Sequence, residues 1–339
     1  MMDEKYLMNV AEIMKDVCVN RSRKFSAENV FNAANEAVRD QLTTLLGSDK
    51  LTYQSLRNNK NQIYTILEDV LANVLPEAWK ADAFYRRFVE VRNGRLGEKN
   101  AFSVKDKSNL VVSRFSGGTW DVDRQKLGRA KTIAIDTEWI YVSCYDELDR
   151  FLAGYTTIPE MMAEIQEAFA RDVDSRIALI FNGMGTYLPS EFTHTGTYDR
   201  EEMLTMIGKV RTYNKSKVVL AGSQTALAKL ATGLGTFATD SAKEEFCTTG
   251  MILRNTGLGV DALVIPDSFI EGTYNSALDD DVIYILPDTK MIKIFYEGDV
   301  RAKEYDDNES HDQTMGLTFQ QRLGVGLVTS QIFAKYTLS

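Results

Sequence analysis

The sequence predicts an α+β protein, and three observations carry that expectation. Roughly the first 90 residues are patterned as helices. One long amphipathic helix occupies the middle of the chain at Thr157–Phe181. After it, short strands alternate with helices, and the chain closes on a β-rich stretch, Leu317–Thr337. With 339 residues, 44% hydrophobic and 26% charged, the chain can bury a substantial core divided into about two or three units.

The central helix has the clearest signal. Ile158, Met161, Met162, Ile165, Phe169, Val173, Ile177 and Ile180 recur every three or four residues and fall along one face. Thr157 and Glu160 have capping-box spacing, Pro159 fits the first helical turn, and Asn182-Gly183 predicts the stop. At about 1.5 Å per residue this is a rod of roughly 35 Å. Its apolar face is expected against strands near Ile133–Tyr145 and Met315–Phe333, and its other face carries Glu164, Glu167, Arg171, Asp174 and Arg176.

Before the rod, helices are predicted at Tyr6–Val17, at Ser26–Leu45 and from Tyr53 to Leu75, where Pro76 ends the last. They are thinly apolar, so they form either an ordinary helical subdomain or an arm that lies against something else. Trp79, Phe84, Tyr85, Phe88 and Val89 make an aromatic patch expected in the core. The texture then changes. Val91–Arg129 contains Asn93-Gly94, Gly97, Gly117-Gly118 and Gly128, with strand-like pieces at Ala101–Val104 and Leu110–Phe115, and predicts a long β-hairpin or extended loop. Arg92, Arg95, Lys99, Lys105, Lys107, Arg114, Arg124, Lys126 and Arg129 make this segment basic within a chain of net charge -9. Poor in large apolar residues, it cannot order itself from its own core. It is either a flexible loop or a limb that docks on an acidic surface, such as that of a second subunit.

Lys131–Tyr145 predicts one alternating strand leading to the central helix. Beyond the helix, Gly183–Gly196 reads as loop, Asp199–Arg211 as helix, Lys217–Ala221 as a buried strand and Ser223–Ala231 as a helix capped by Ser223. Met251–Arg254, Ala262–Ile265, Val282–Leu286 and Lys290–Tyr296 read as short strands. Gly324 and Gly326 in the final strand predict a bend or a close approach.

Signatures of chemistry are weak throughout. His194 and His311, the only histidines, both sit in polar contexts that predict surface or turn roles. Cys18, Cys144 and Cys247 are isolated and odd in number, which predicts reduced thiols. HExxH, CxxC, GxSxG and GxxxxGK[ST] do not occur. Gly233-Leu234-Gly235 follows a helix instead of a strand, the wrong place for a dinucleotide fingerprint. Asp279-Asp280-Asp281 reads as a solvated turn and Glu304–Asp312 as an acidic connection. Trp79, Trp120 and Trp139 are scattered and not interleaved with basic residues, so no single-strand-binding surface is read from them. The negative charge argues against nucleic-acid binding over the whole surface and leaves only local, salt-dependent contact. No window resembles a signal peptide or a membrane span. No catalytic residue, cofactor or metal is expected.

The order of elements resembles the major capsid proteins of tailed double-stranded DNA bacteriophages, the HK97-type fold family, over about residues 20 to 337. Gly94–Gly128 resembles the extended loop of that family, and Ile158–Phe181 its long spine helix. Lys217–Leu230 (KVVLAGSQTALAKL) resembles the strand and helix of its axial domain. Met291–Lys303 with Met315–Phe333, including QRLGVGLV, resembles its closing strands. The resemblance implies an arm over 1–90, the extended loop over 91–130, and a peripheral domain over 131–197 with its spine helix at 157–182. It implies an axial domain over 198–290 and closing strands over 291–339 that return to the peripheral domain. It also implies hexamers and pentamers in a closed icosahedral or prolate shell around double-stranded DNA, contacted non-specifically, with no membrane and no catalysis. The nine basic residues named above would be inter-subunit contacts. The shell would assemble in the host bacterial cytoplasm and reside in the virion. Portal and decoration proteins are implied partners, with a separate scaffolding protein or none. Met1 heads the sequence, so a removed propeptide is not expected, and no lysine crosslink is expected. The same fold would also suit an encapsulin-type nanocompartment holding cargo enzymes. A soluble α/β enzyme and a tail or adhesion protein are readings of other classes.

Overall fold

The computed structural model describes residues 82–98, 100–104, 130–147, 158–233, 257–270, 272–304 and 314–338, together with isolated positions before and between them. Two sheets and one long helix organise these residues. The chain enters through a short helix α1 (Ala83–Phe88), with Asp82 as N-cap accepting from the Phe84 amide at 2.7 Å. It passes directly into β1 (Val89–Gly94), which pairs in parallel with β9 (Ile292–Glu304). β9 pairs antiparallel with β10 (Thr314–Leu327), and β10 with β4 (Glu138–Glu147), giving a four-stranded sheet of order β1-β9-β10-β4. The aromatic patch is core as expected, with Phe84, Tyr85, Phe88 and Val89 all buried. Trp79 lies outside the described residues. Arg92 and its neighbours, predicted as the start of the projection, belong instead to the sheet.

Helix α2 (Ile158–Met184) covers the inner face of this sheet. The predicted stripe is buried at Met161, Met162, Ile165, Phe169, Val173 and Ile177, with Phe181 and Met184 continuing it; Ile180 is only half-buried. The helix does not stop at Asn182-Gly183. The Asn182 side chain is occupied elsewhere: Nδ2 donates to the Ala277 carbonyl at 2.8 Å and Oδ1 accepts from the Asp279 amide at 3.3 Å. The helix therefore runs on to Met184, and a 3₁₀ turn, Gly185–Tyr187, ends it. Tilted aromatic pairs join three elements here, Phe84 to Phe181 at 5.8 Å and Phe181 to Tyr284 at 5.0 Å.

The predicted strand Lys131–Tyr145 is two strands. β2 (Ala101–Val104) pairs with β3 (Lys131–Ala134) in a separate two-stranded ladder, and β4 pairs with β10. Ile135, Asp136 and Thr137 break the run, because Ile135 is drawn into a small core with Phe102, Phe295 and Val328.

The second sheet has the order β5-β11-β8-β6-β7. Its strands are β5 (Thr193–Gly196), β6 (Val218–Gly222), β7 (Asp261–Val264), β8 (Val282–Pro287) and β11 (Ala334–Leu338). Every residue of β6 and β8 is buried, as the unbroken apolar runs require. Helix α3 (Arg200–Asn214) is capped by Asp199, and α4 (Gln224–Gly233) by Ser223, whose Oγ accepts from the Ala226 amide at 3.1 Å. The sequence assigned the whole of 291–339 to one unit. β9 and β10 lie in the first sheet, but β11 joins the second. Tyr336 on β11 is fully buried, and its hydroxyl accepts from the Asp199 amide and donates to the Thr197 carbonyl. His194, predicted in a loop, is on β5, stacked at 4.7 Å on Tyr336 with Glu202 3.2 Å from its Nδ1. Of the predicted arm, Leu67 is buried and Glu68 accepts from the Ala302 amide at 2.7 Å, so this part of it rests on β9; His311, Cys18 and the helices at 6–17 and 26–45 lie outside the described residues.

One charged residue of α2 faces inward against expectation. Asp174 accepts a hydrogen bond from the Tyr85 hydroxyl. Burial pushes its carboxyl up to about 6, and the nearby Asp82 and Asp267 carboxylates add to the rise against the lowering effect of Tyr85. A solvated aspartate titrates near ~4, so the ionised form costs stability at neutral pH. That cost shrinks as pH falls through 6 and is gone below the unfolded value. Asp174→Asn, which can still accept from Tyr85, is therefore expected to raise stability at pH 7.5 by on the order of 1 kcal/mol. The gain should vanish by pH ~4. Urea denaturation at both pH values checks this; a destabilised variant at pH 7.5 would sink it.

Candidate assembly interface

The site begins with two glycines. β10 carries Gly324 and Gly326 on the face of the first sheet that turns away from α2. A Cβ on Gly324 would lie 2.7 Å from the Asp136 carbonyl oxygen and 3.0 Å from Ile135, and one on Gly326 would lie 3.2 Å from Ile135. The missing side chains let the segment after β3 lie flat on the sheet. Ile135 and Phe102 then pack on Phe295 and Val328, with Phe102 edge-on to Phe295 at 6.4 Å. The β2–β3 ladder is thus the root of the predicted projection, seated on its own sheet.

Glu297 clasps that root. It is 6% exposed and accepts from the Gly97 amide at 2.9 Å, the Thr137 hydroxyl at 2.6 Å and Arg322 Nη1 at 3.1 Å. The Thr137 and Gly97 hydrogen bonds, with Arg322 beside them, hold its carboxyl below the usual range against desolvation. One carboxylate so joins the outgoing limb, the returning limb and β10. The Asn100 amide also donates to the Ile135 carbonyl across the root. Neither Glu297 nor Thr137 was singled out from sequence. The Gly-x-Gly of β10 was, and it is the feature that carried the signal of a close approach.

The basic residues divide. Arg92, on β1, is exposed but engaged: it pairs with Glu90 at 2.6 Å, and its guanidinium lies 4.7 Å over the Phe102 ring. Lys293 holds the other Glu90 oxygen. Burial works against ionising Glu90, but the hydrogen bonds from Lys293 and Arg92 outweigh it and keep the carboxyl below its ordinary range. Arg95 sits in the tight turn Arg95–Glu98, exposed, its amide donating to Glu98 Oε2 at 2.8 Å. Arg124 is exposed. Lys99, Lys105, Lys107, Arg114, Lys126 and Arg129 lie outside the described residues. A cleft of about 200 Å³ opens beside the root, lined by Arg92, Lys290, Lys293, Ser103 and Thr329 among others. With Glu90 the carboxylate lining it, the cleft is cationic and suited to acidic side chains. Among the described residues no group of three or more His, Cys, Asp or Glu could hold a metal ion, and no helix is long and apolar enough to cross a membrane. Burial raises the Cys144 thiol, and Cys247 is exposed.

A family model described as the SPbeta prophage-derived putative capsid protein YonB matches residues 9–337. The chain belongs to this capsid-protein family. No curated protein matches it. Among solved structures, a chain of the bacteriophage PhiM1 mature capsid superposes with a TM-score of 0.51 at 13% identity, covering 76% of this chain and 87% of that one. That likeness establishes the shared fold, which is of the HK97 type, as the order of elements led one to expect. The cyanophage P-SCSP1u capsid gives 0.49 at 13% identity, over 75% and 88% of the two chains. The satellite phage P4 procapsid gives 0.49 at 10% identity, over 89% and 97%.

The glycine contacts lead to a paired expectation for this capsid-family chain. Gly324→Ala should destabilise it by about 1–3 kcal/mol, since the neighbouring atom is backbone and cannot yield. Gly183→Ala, in α2 with open space around it, should be neutral or stabilising by up to ~1 kcal/mol. Denaturant midpoints of the two variants check the contrast; equal effects would refute the close approach.

Proposed function

We propose that this chain is the repeating structural subunit of a closed capsid shell that encloses double-stranded DNA and assembles without catalysis. The observation that carries the reading is the family match across residues 9–337. The fold supports it, because a beam-like α2 between two sheets, with a rooted limb leaving one of them, suits a subunit that bonds to several neighbours at once. In this reading the four-stranded sheet with α2 is the peripheral unit, with α2 as its spine, and the five-stranded sheet with α3 and α4 is the axial unit. The limb between Val104 and Lys131 reaches over a neighbouring subunit. Lys99, Lys105, Lys107, Arg114, Lys126 and Arg129, together with Arg95 and Arg124, meet its acidic surface, while Arg92 serves chiefly to seat the root. Hexamers and pentamers then close an icosahedral or prolate shell in the host cytoplasm. A portal and decoration proteins complete the virion, a separate scaffolding protein or none guides assembly, and contact with packaged DNA is non-specific.

Purified protein, alone and with a co-expressed scaffold, should yield closed particles in negative-stain images with a mass many times that of the 38.2 kDa subunit. A monomer under every condition would refute the shell. Replacing both Lys105 and Lys107 by glutamate should reduce particle yield while leaving the thermal midpoint of the subunit unchanged, because the limb has no core of its own. Unchanged yield at normal solubility would remove these lysines from the interface.

A further inference from the structure

Among the described residues, the root of the projection packs on the Gly324–Gly326 end of its sheet face. On the other half, β4 presents Trp139, Tyr141 and Tyr145 in a row, 48%, 71% and 77% exposed. Alternation along the strand places them on one face, and Ser143 between them bonds Thr318 of β10 at 2.8 Å on that same face. Two strands across, β9 adds Arg301 and Lys303, whose β10 partners are Gln320 and Thr318. The Arg301 guanidinium lies 5.5 Å over the Trp139 ring. Neither cation forms an ion pair among the described residues. Among the described residues β4, ten residues long, pairs with β10 and with no second strand.

We propose that this aromatic half-face is a contact surface for a second copy of the chain. The inference rests on the shell reading and names a surface that reading leaves unassigned. Three features select the occupant. An aromatic side chain offers about 150–250 Å², so the three exposed rings display roughly 350 Å² of contiguous aromatic surface, the size that marks a binding patch. It would form the centre of an interface whose two sides each need about 800 Å². Trp, Tyr and Arg are the residues that anchor such centres. Next, the patch offers Arg301 and Lys303, with the exposed Asp299 two residues before Arg301 on β9, on a chain of net charge -9, so every other copy carries acidic surface that meets these two cations. Finally, the adjoining half of the same face already accepts extended backbone from this chain, at Gly324 and Gly326. A neighbour's segment laid alongside would continue that arrangement. A nucleic-acid strand fits less well, since its phosphates would meet only Arg301 and Lys303.

Hydroxyl-radical footprinting of the full-length protein, dilute and after association, reads this directly. Oxidation of Trp139, Tyr141 and Tyr145 is expected to fall several-fold in the associated form. The variant Tyr141→Ser/Arg301→Glu, with an unchanged circular dichroism spectrum, is expected to associate roughly tenfold or more weakly, the scale of losing one anchor. Closed shells in which the three aromatics stay fully reactive would overturn the inference and leave the shell reading intact. Protected aromatics in small open oligomers that never close would support the inference and refute the shell reading. Absence of association overturns both. Protection conferred by a single-stranded oligonucleotide, and not by self-association, overturns the inference in favour of a nucleic-acid surface.

Discussion

The apolar stripe of α2 has two sheets to serve. Val173 and Ile177 lie in one cluster with Ile292, Ile294 and Leu323 of the first sheet, and Phe181 in the same cluster meets Tyr284 of the second. Each fully buried side chain of this size contributes roughly 1.5–3 kcal/mol, so removing the stripe would separate both sheets from their common support. At 27 residues the helix is about 40 Å long, enough to span from one sheet to the other. Its continuation past Asn182 matters for that reason. The Asn182 side chain ties the Ala277–Asp279 segment to the helix end, so the loop that leads into β8 is fixed to the beam.

With the inner face of the first sheet committed to α2, the outer face is left to make contacts of a different kind. Its proximal half is built for close approach, with two glycines and a clasping carboxylate. Its distal half is built of large aromatics and two cations. The difference follows from side-chain volume. Ile135 and the Asp136 carbonyl can sit on β10 only where no Cβ intervenes. Glu297 remains ionised although nearly buried, because three donors replace the water it loses. A carboxylate there without those donors would destabilise the sheet it now holds to the root.

Periodicity made α2, α3, α4, β6, β8 and most of β10 legible, because one buried face repeats in sequence at the period of the element. Caps were legible at Asp199 and Ser223 for the same local reason. The errors fall where distant residues compete with local ones. Asn182-Gly183 has the composition of a helix stop, but Asn182 is claimed by Ala277 and Asp279. Lys131–Tyr145 alternates like one strand, but Phe295 and Val328 claim Ile135. Asp174 reads as an outward charge, but Tyr85 turns it inward.

The same division separates the class of the protein from its contact surface. Element order, the basic stretch with its glycines and the absence of catalytic motifs are properties of the linear chain, and they determined the fold family, because burial periodicity and charge are written residue by residue. The seating of the root and the row of Trp139, Tyr141 and Tyr145 beside Arg301 and Lys303 were decided only by tertiary structure. The β4–β10 register joins residues 167 to 185 positions apart, and a pairing of that range leaves no local period to read.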